Sequence, residues 1–213
     1  MRAGLDWRLY LVTDRALAGD RPLEQVVKAA VAGGVSIVQV REKDLPTRDL
    51  LTVALRVKDA LTGSRVPLII NDRVDVALAC GADGVHLGQQ DLPVSDARRL
   101  LGPDAIIGLS VEHMDQVHIA NEWDVDYLGV SPIFPTATKT DTVTAWGIEG
   151  LKAIRRVSAK PLIAIGGLNR DNAAEMIRAG ADGVAVVSAI CAAADPATAA
   201  RALRDAMHHA DTD

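Results

Sequence analysis

Eight short β-branched runs alternate with longer helix-forming stretches, and this order predicts a closed (β/α)8 barrel of the TIM type. Three observations carry that expectation. Strands separated by helices pair in parallel, through right-handed crossovers. The chain has 213 residues, enough for one such barrel as a single domain over 1–213. Ala and Val dominate the apolar residues and aromatics make up only 3%, which suits helices packed closely on strands better than an antiparallel sandwich. An open doubly wound sheet is the alternative, but it announces itself by a glycine-rich turn after the first strand. The corresponding stretch here, LVTDRALAGD, is no such turn.

The first strand is expected at Arg8–Thr13. Pro22 then opens a helix at Leu23–Ala32, which Gly33-Gly34 closes before a strand at Ser36–Val40. Thr47 precedes a helix at Arg48–Leu61, and the third strand follows at Pro67–Asn71. Gly81 marks a further helix end before the strand Asp83–Leu87. A helix at Val94–Leu101 leads to the strand Ala105–Leu109, and the sixth strand is Val125–Val130. Next come a helix at Ile148–Val157 and a strand at Pro161–Ile165. Asp171 starts a helix at Asn172–Ala179, Gly180 ends it, and the last strand is Gly183–Val187. A helix at Ala197–Met207 completes the order, and the polar residues 208–213, with their adjacent histidines, are expected to fray. AGGVSIVQV, CGADGVHLG and RAGADGVAVVS repeat one pattern of helix end, glycine and strand at the second, fourth and eighth strands. The stretch SPIFPTATKTDTVTAWG after the sixth strand has no periodicity, and a loop of that length inside a domain is functional or disordered.

A net charge of −5 provides no broad basic surface, so nucleic acid is not an expected partner. No apolar segment is long enough to span a membrane, and the N-terminus lacks the apolar core of a secretion signal. Cys80 and Cys191 stand in no metal or redox spacing and read as small buried residues of a cytoplasmic protein. Small molecules are the expected partners, and a homo-oligomer is compatible with the sequence.

The stretch VQVREKD points to the chemistry. Side chains alternate along a strand, so Gln39, Arg41 and Lys43 share one face while Val38 and Val40 share the other. Valines suit the face that meets the helices, which turns the polar set into the barrel at the strand's C-terminal end, where barrel enzymes build their sites. Burying Arg and Lys there without an anion would cost several kcal/mol each, by an order-of-magnitude estimate. The bland alternative is a solvated turn in which Arg41 pairs with Glu42 or Asp44. Glu42 belongs to the same charged stretch, but alternation turns it to the other side.

The third strand ends in Asn71-Asp72, and the fourth places His86 on the inner face with Asp91 just past the rim. Two carboxylates beside an Arg and a Lys suit a Mg²⁺ that bridges protein to phosphate. Taken singly, Asp72 could cap a helix, Asp91 could be a plain loop residue, and His86 could be a hydrogen-bonded core histidine. On the opposite side, Gly166-Gly167 and Val187-Ser188 end the seventh and eighth strands, the common phosphate site of these barrels. Lys139 in the long loop could reach over either anion site.

QVREKD, INDR, ADGVHLGQQDLP, GLS, PIFPTATK, GIEGL and AIGG, in this order and spacing, resemble the thiamine phosphate synthase (thiamine-phosphate pyrophosphorylase) family across nearly the whole chain. The resemblance implies an enzyme that joins hydroxymethylpyrimidine pyrophosphate to hydroxyethylthiazole phosphate with Mg²⁺. By motif, Gln39, Arg41, Lys43, Asn71, Ser110 and Lys139 would bind the pyrimidine pyrophosphate, with His86 and Glu42 in the same stretches. Asp72 and Asp91 would hold Mg²⁺, and Thr136, Thr138, Gly167, Val187 and Ser188 would bind the thiazole phosphate. Arg41, Lys43, Ser110 and Lys139 would serve the chemistry. Two departures stand out. Where the family has S-x-H, this chain reads SVEHM, with Glu112 in the histidine's place and His113 one later. On a new helix that shift would turn the side chain by about 100°. Ser131 replaces a common Gly before PIFPT. A thiazole tautomerase of the same superfamily, a phosphosugar epimerase and a non-catalytic binding barrel are the rival readings. Trp146 is expected to anchor packing rather than stack on a ligand.

Overall fold

The computed structural model describes residues 4–135 and 145–209. Its eight strands form a closed parallel barrel in sequence order. The strands are β1 (Leu9–Val12), β2 (Ile37–Val40), β3 (Leu68–Asn71), β4 (Gly84–Leu87), β5 (Ile106–Val111), β6 (Tyr127–Val130), β7 (Leu162–Ile165) and β8 (Gly183–Val186). Around them lie α1 (Arg15–Ala18), α2 (Leu23–Ala32), α3 (Thr47–Ala60), α4 (Val74–Cys80) and α5 (Val94–Leu101). The ring continues with α6 (Met114–Asn121), α7 (Gly147–Val157), α8 (Arg170–Arg178), α9 (Ser188–Cys191) and α10 (Pro196–His209).

All eight expected strands are present, and the six expected helices stand within two residues of their expected ends. The four further helices, α1, α4, α6 and α9, have four to eight residues. Two turns or fewer carry too few positions for a helical period to show against the background of apolar residues. The start of α8 differs from the expected one. Asn169, not Asp171, is its cap, accepting the Asp171 N–H while Asn172 reaches back to the Asn169 N–H. The last helix extends through His209, two residues into the stretch expected to fray, and 210–213 lie outside the described residues.

Alternation along the strands divides the core in two. Val38 and Val40 join the outer layer with Leu50, Ala54 and Val57 of α3. Tyr10, Val12, Ile37, Ile69, Tyr127 and Ile163 fill the barrel interior. One periodic device sets the register of the strands at their N-terminal ends. Asp83, Asp126 and Asp182, each just before an even-numbered strand, accept the N–H of Leu68, Ile107 and Leu162 at the odd-numbered strand beside it. Ser36 does the same for Leu9. The repeat legible in sequence at the second, fourth and eighth strands therefore has a sixth-strand member, Asp126, which lacks the glycine signature.

Asp126 also accepts from Arg98 at 2.9 Å, and both side chains are nearly buried, with 12% and 14% exposed. Asp126→Ala would leave the guanidinium and the Ile107 N–H without this acceptor. Removing one member of a buried pair costs about 3–5 kcal/mol. We expect the lower end, about 3 kcal/mol, because the Asp124 carboxylate remains 3.0 Å from Arg98. Urea unfolding checks this, and a loss below about 1 kcal/mol would show that solvent replaces the pair.

Candidate active site

A cavity of about 790 Å³ opens at the C-terminal rim of the barrel. Gln39, Arg41, Lys43, Asn71, Asp72, His86, Asp91 and Ser110 line one side, and Gly166, Gly167, Val187 and Ser188 line the other. The β2 ladder ends at Val40, yet the alternation persists beyond it. The Arg41 N–H donates to the Thr13 hydroxyl, one residue past the strand. Among the described residues, neither Arg41 nor Lys43 has an ion-pair partner within contact distance. The chain does bend at 43–45, but no Arg41–Glu42 or Arg41–Asp44 ion pair forms there.

Glu42 is the exception in its stretch. It lies outside this cavity and faces Arg15, with Oε2 3.6 Å from the guanidinium Nε. Burial raises its carboxyl pKa, and Arg15 opposes that rise. Glu42 thus stays outside the cavity that Arg41 and Lys43 line.

Asp72 sits in a left-handed backbone conformation, φ 62°, and its N–H donates to the His86 carbonyl at 2.8 Å. This bond carries the β3–β4 pairing one residue beyond the strand. The first turn of α4 takes no side-chain cap, so Asp72 is not a helix cap. Its carboxyl meets that of Asp91, whose Oδ2 accepts the Gly88 N–H at 2.6 Å. Burial first, then hydrogen bonding and repulsion from Asp91, raise the Asp72 pKa from 3.8 to about 6, against the pull of Lys43 and Arg41. Two hard oxygen donors forced together beside two cations suit a divalent cation that takes its remaining ligands from water and phosphate. No group of three or more His, Cys, Asp and Glu exists among the described residues that could cage a metal alone.

His86 is held at both ring nitrogens, by the Tyr127 hydroxyl and the Ser110 hydroxyl, each at 2.8 Å. Two glycines make room for these rings. A Cβ on Gly108 would fall 2.0 Å from the Tyr127 ring, and one on Gly129 would fall 2.9 Å from the His86 ring. Ser110 lies within β5, not at the start of a helix. The side chains after it therefore still alternate, with period two. That corrects the expected turn of about 100°. Glu112 shares the face of Ser110 and lines the cavity, while His113 is exposed just before α6.

Gly166 and Gly167 have φ of 106° and 67°. Beyond opening the rim, they let the chain after β6 pack close: the Phe134 N–H donates to the Gly166 carbonyl, and a Cβ on Gly167 would strike Phe134. Ser131 is buried, lines the cavity and precedes a cis Pro132. Trp146 donates its ring N–H to the Val111 carbonyl and packs on the outer core, outside the cavity. Thr136, Thr138 and Lys139 lie outside the described residues.

Residues 9–190 match the family described as thiamine monophosphate synthase. The chain belongs to that family. It is 61% identical over 197 residues to a thiamine-phosphate synthase of Albidiferax ferrireducens, covering 92% of this chain and 90% of the relative. A thiamine-phosphate synthase of Chloroflexus aurantiacus is 51% identical over 200 residues, with 94% and 92% covered. Among solved structures, a thiamine phosphate pyrophosphorylase from Pyrococcus furiosus superposes with a TM-score of 0.87 at 36% identity, covering 97% of this chain and 98% of that one. The closed barrel of this chain thus superposes on a solved thiamine phosphate pyrophosphorylase over nearly its whole length. Sequence reasoning did not place two tyrosines that line this cavity, Tyr10 and Tyr127. A signal existed for Tyr127, since glycines inside strands at Gly108 and Gly129 mark close approach by a neighbour.

Proposed function

We infer that this chain is a thiamine-phosphate synthase that joins hydroxymethylpyrimidine pyrophosphate to hydroxyethylthiazole phosphate, giving thiamine phosphate and pyrophosphate. The observation that carries the reading is the rim at β2–β4. Arg41 and Lys43, without ion-pair partners among the described residues, look across at the carboxylates of Asp72 and Asp91.

In this reading Arg41 and Lys43 receive the pyrophosphate. As the pyrimidine's exocyclic C–O bond breaks, its electron pair leaves with the pyrophosphate, and the two cations stabilise the charge that develops there. Asp72 and Asp91 would hold Mg²⁺, which when bound supplies further neutralisation of the leaving group. The benzyl-like pyrimidine cation is stabilised by its ring, and Gln39 and Asn71 orient that ring. The thiazole nitrogen then donates its lone pair to the exocyclic carbon. It is already a nucleophile, so no general base is required, and the protein's share is positioning. Gly167, Val187 and Ser188 would seat the thiazole's phosphate on the far rim. Thr136, Thr138 and Lys139 are assigned by motif to the same pair of substrates.

The test supplies both heterocyclic phosphates with Mg²⁺ and follows thiamine phosphate and pyrophosphate. Equal amounts of the two products are expected. No product above background would overturn the reading, and isomerisation of the thiazole phosphate alone would replace it with the tautomerase.

A further inference from the structure

Four hydrogen bonds, each 2.8 Å long, run in series across the barrel interior: Gln39 to Tyr10, Tyr10 to Tyr127, Tyr127 to His86, and His86 to Ser110. They connect five strands, and Tyr10 and Tyr127 line the cavity without a part in the chemistry derived above. Gln39, Tyr10 and Tyr127 are buried, with 4%, 1% and 1% exposed. Burial raises the pKa of both phenols, so each keeps its single proton.

Proton counting constrains such a chain. Each tyrosine hydroxyl can donate only once, and a neutral imidazole carries one proton on one of two nitrogens. If the Gln39 amide donates to Tyr10, then Tyr10 donates to Tyr127 and Tyr127 donates to His86 Nδ1. His86 then carries its proton on Nε2 and gives it to Ser110, whose own hydroxyl proton is left for the cavity. If Ser110 instead donates to His86, every link reverses and Gln39 must accept. Only these two arrangements fill all four links. Any mixture leaves one buried link with two protons or none, which is costly in a low-dielectric interior.

We propose that Tyr10 and Tyr127 are positioning residues that couple the two ends of the site: when Gln39 offers its carbonyl to the cavity Ser110 offers a proton, and when Gln39 offers its amine Ser110 offers a lone pair. This rests on the synthase reading, in which Gln39 meets the pyrimidine ring and Ser110 the same substrate. The Gln39 amide nitrogen lies 2.8 Å from the Tyr10 hydroxyl, which favours the first arrangement. Gln39 then accepts from the ring's amino group while Ser110 donates. One chain would thus check both ends of a single substrate before the bond breaks.

The experiment is ¹⁵N–¹H correlation spectroscopy of the imidazoles in the substrate-free protein. His86 is assigned among the five histidines by its loss in His86→Gln. The wild-type chain is expected to show the Nε2-protonated form alone. Tyr10→Phe touches neither His86 nor Ser110 but removes two of the four links, so both nitrogens should share the proton. Gln39→Glu replaces the donor with an acceptor and should move the proton to Nδ1. In the assay, Tyr10→Phe should lower kcat about tenfold, the factor for one mis-set hydrogen bond of about 1.4 kcal/mol. If His86 keeps its wild-type pattern in both folded variants, the tyrosines only fill space and the proposal fails. Should Gln39→Glu not fold, the nearly isosteric Tyr10→Phe decides alone. Because the spectra need no substrate, absence of synthase activity would overturn the functional reading without altering this result.

Discussion

Lys43→Ala is expected to lower kcat by about 10²–10³-fold, the usual loss for removing one group that stabilises transition-state charge. Its melting temperature should stay close to that of the wild type. Lys43 is exposed at the rim and makes no ion pair among the described residues. Truncating a surface side chain of that kind changes stability by only about 0.5 kcal/mol. The separation of the two effects is the content of the prediction. A lysine that merely solubilised a turn would give neither. One that supported the fold would give both. Steady-state kinetics with thermal melts on the same preparations decides, and full activity in the variant would remove Lys43 from the leaving-group site.

Asp72→Asn is expected to raise the Mg²⁺ requirement strongly and, in metal-free buffer at neutral pH, to raise the melting temperature. Asparagine is the right replacement because it tolerates the left-handed φ of 62° at this position. The sign follows from the raised pKa. A carboxyl that titrates at about 6 when folded and at 3.8 ordinarily holds its proton more tightly in the folded chain. Its stabilising contribution is complete below pH 3.8, declines as pH rises, and is gone above about 6. Above that window the wild-type chain keeps two opposed carboxylates that the variant lacks. The difference in melting temperature between the two proteins should therefore turn in favour of the variant between pH 4 and 6, to about a unit. Mg²⁺ at pH 7 should stabilise the wild type and not the variant, by binding the folded state alone. A wild type that melts higher at pH 7 without metal, or an unchanged Mg²⁺ titration, would take Asp72 out of the metal site.

These two residues also show where reading the sequence succeeds. Lys43 is placed by alternation, a property of successive residues, and it lines the cavity although the chain bends at 43–45. Asp72 was placed at a strand end by the same rule, but its partnership with Asp91 could only be guessed. Nothing local brings the end of β3 and the loop after β4 to one point. The face that Glu112 takes is open in the sequence for a related reason. The choice between a strand period and a helix period at Ser110 depended on how far β5 runs, and β5 runs to Val111 because β6 pairs with it there.

By itself the sequence determined the barrel, the outward valines, the inward Gln39, Arg41 and Lys43, and the family. Periodicity, capping and motif order are all short-range, so a linear chain displays them. Only the tertiary structure decided that Asp72 meets Asp91, that Glu42 turns to Arg15, and that Tyr10 and Tyr127 join Gln39 to Ser110. Tyr10 and Tyr127 are 117 residues apart in the chain, and their hydroxyls come within 2.8 Å because closing the barrel turns opposite strands' inner faces into one interior. Closure is a property of all eight strands together, and no stretch of sequence carries it alone.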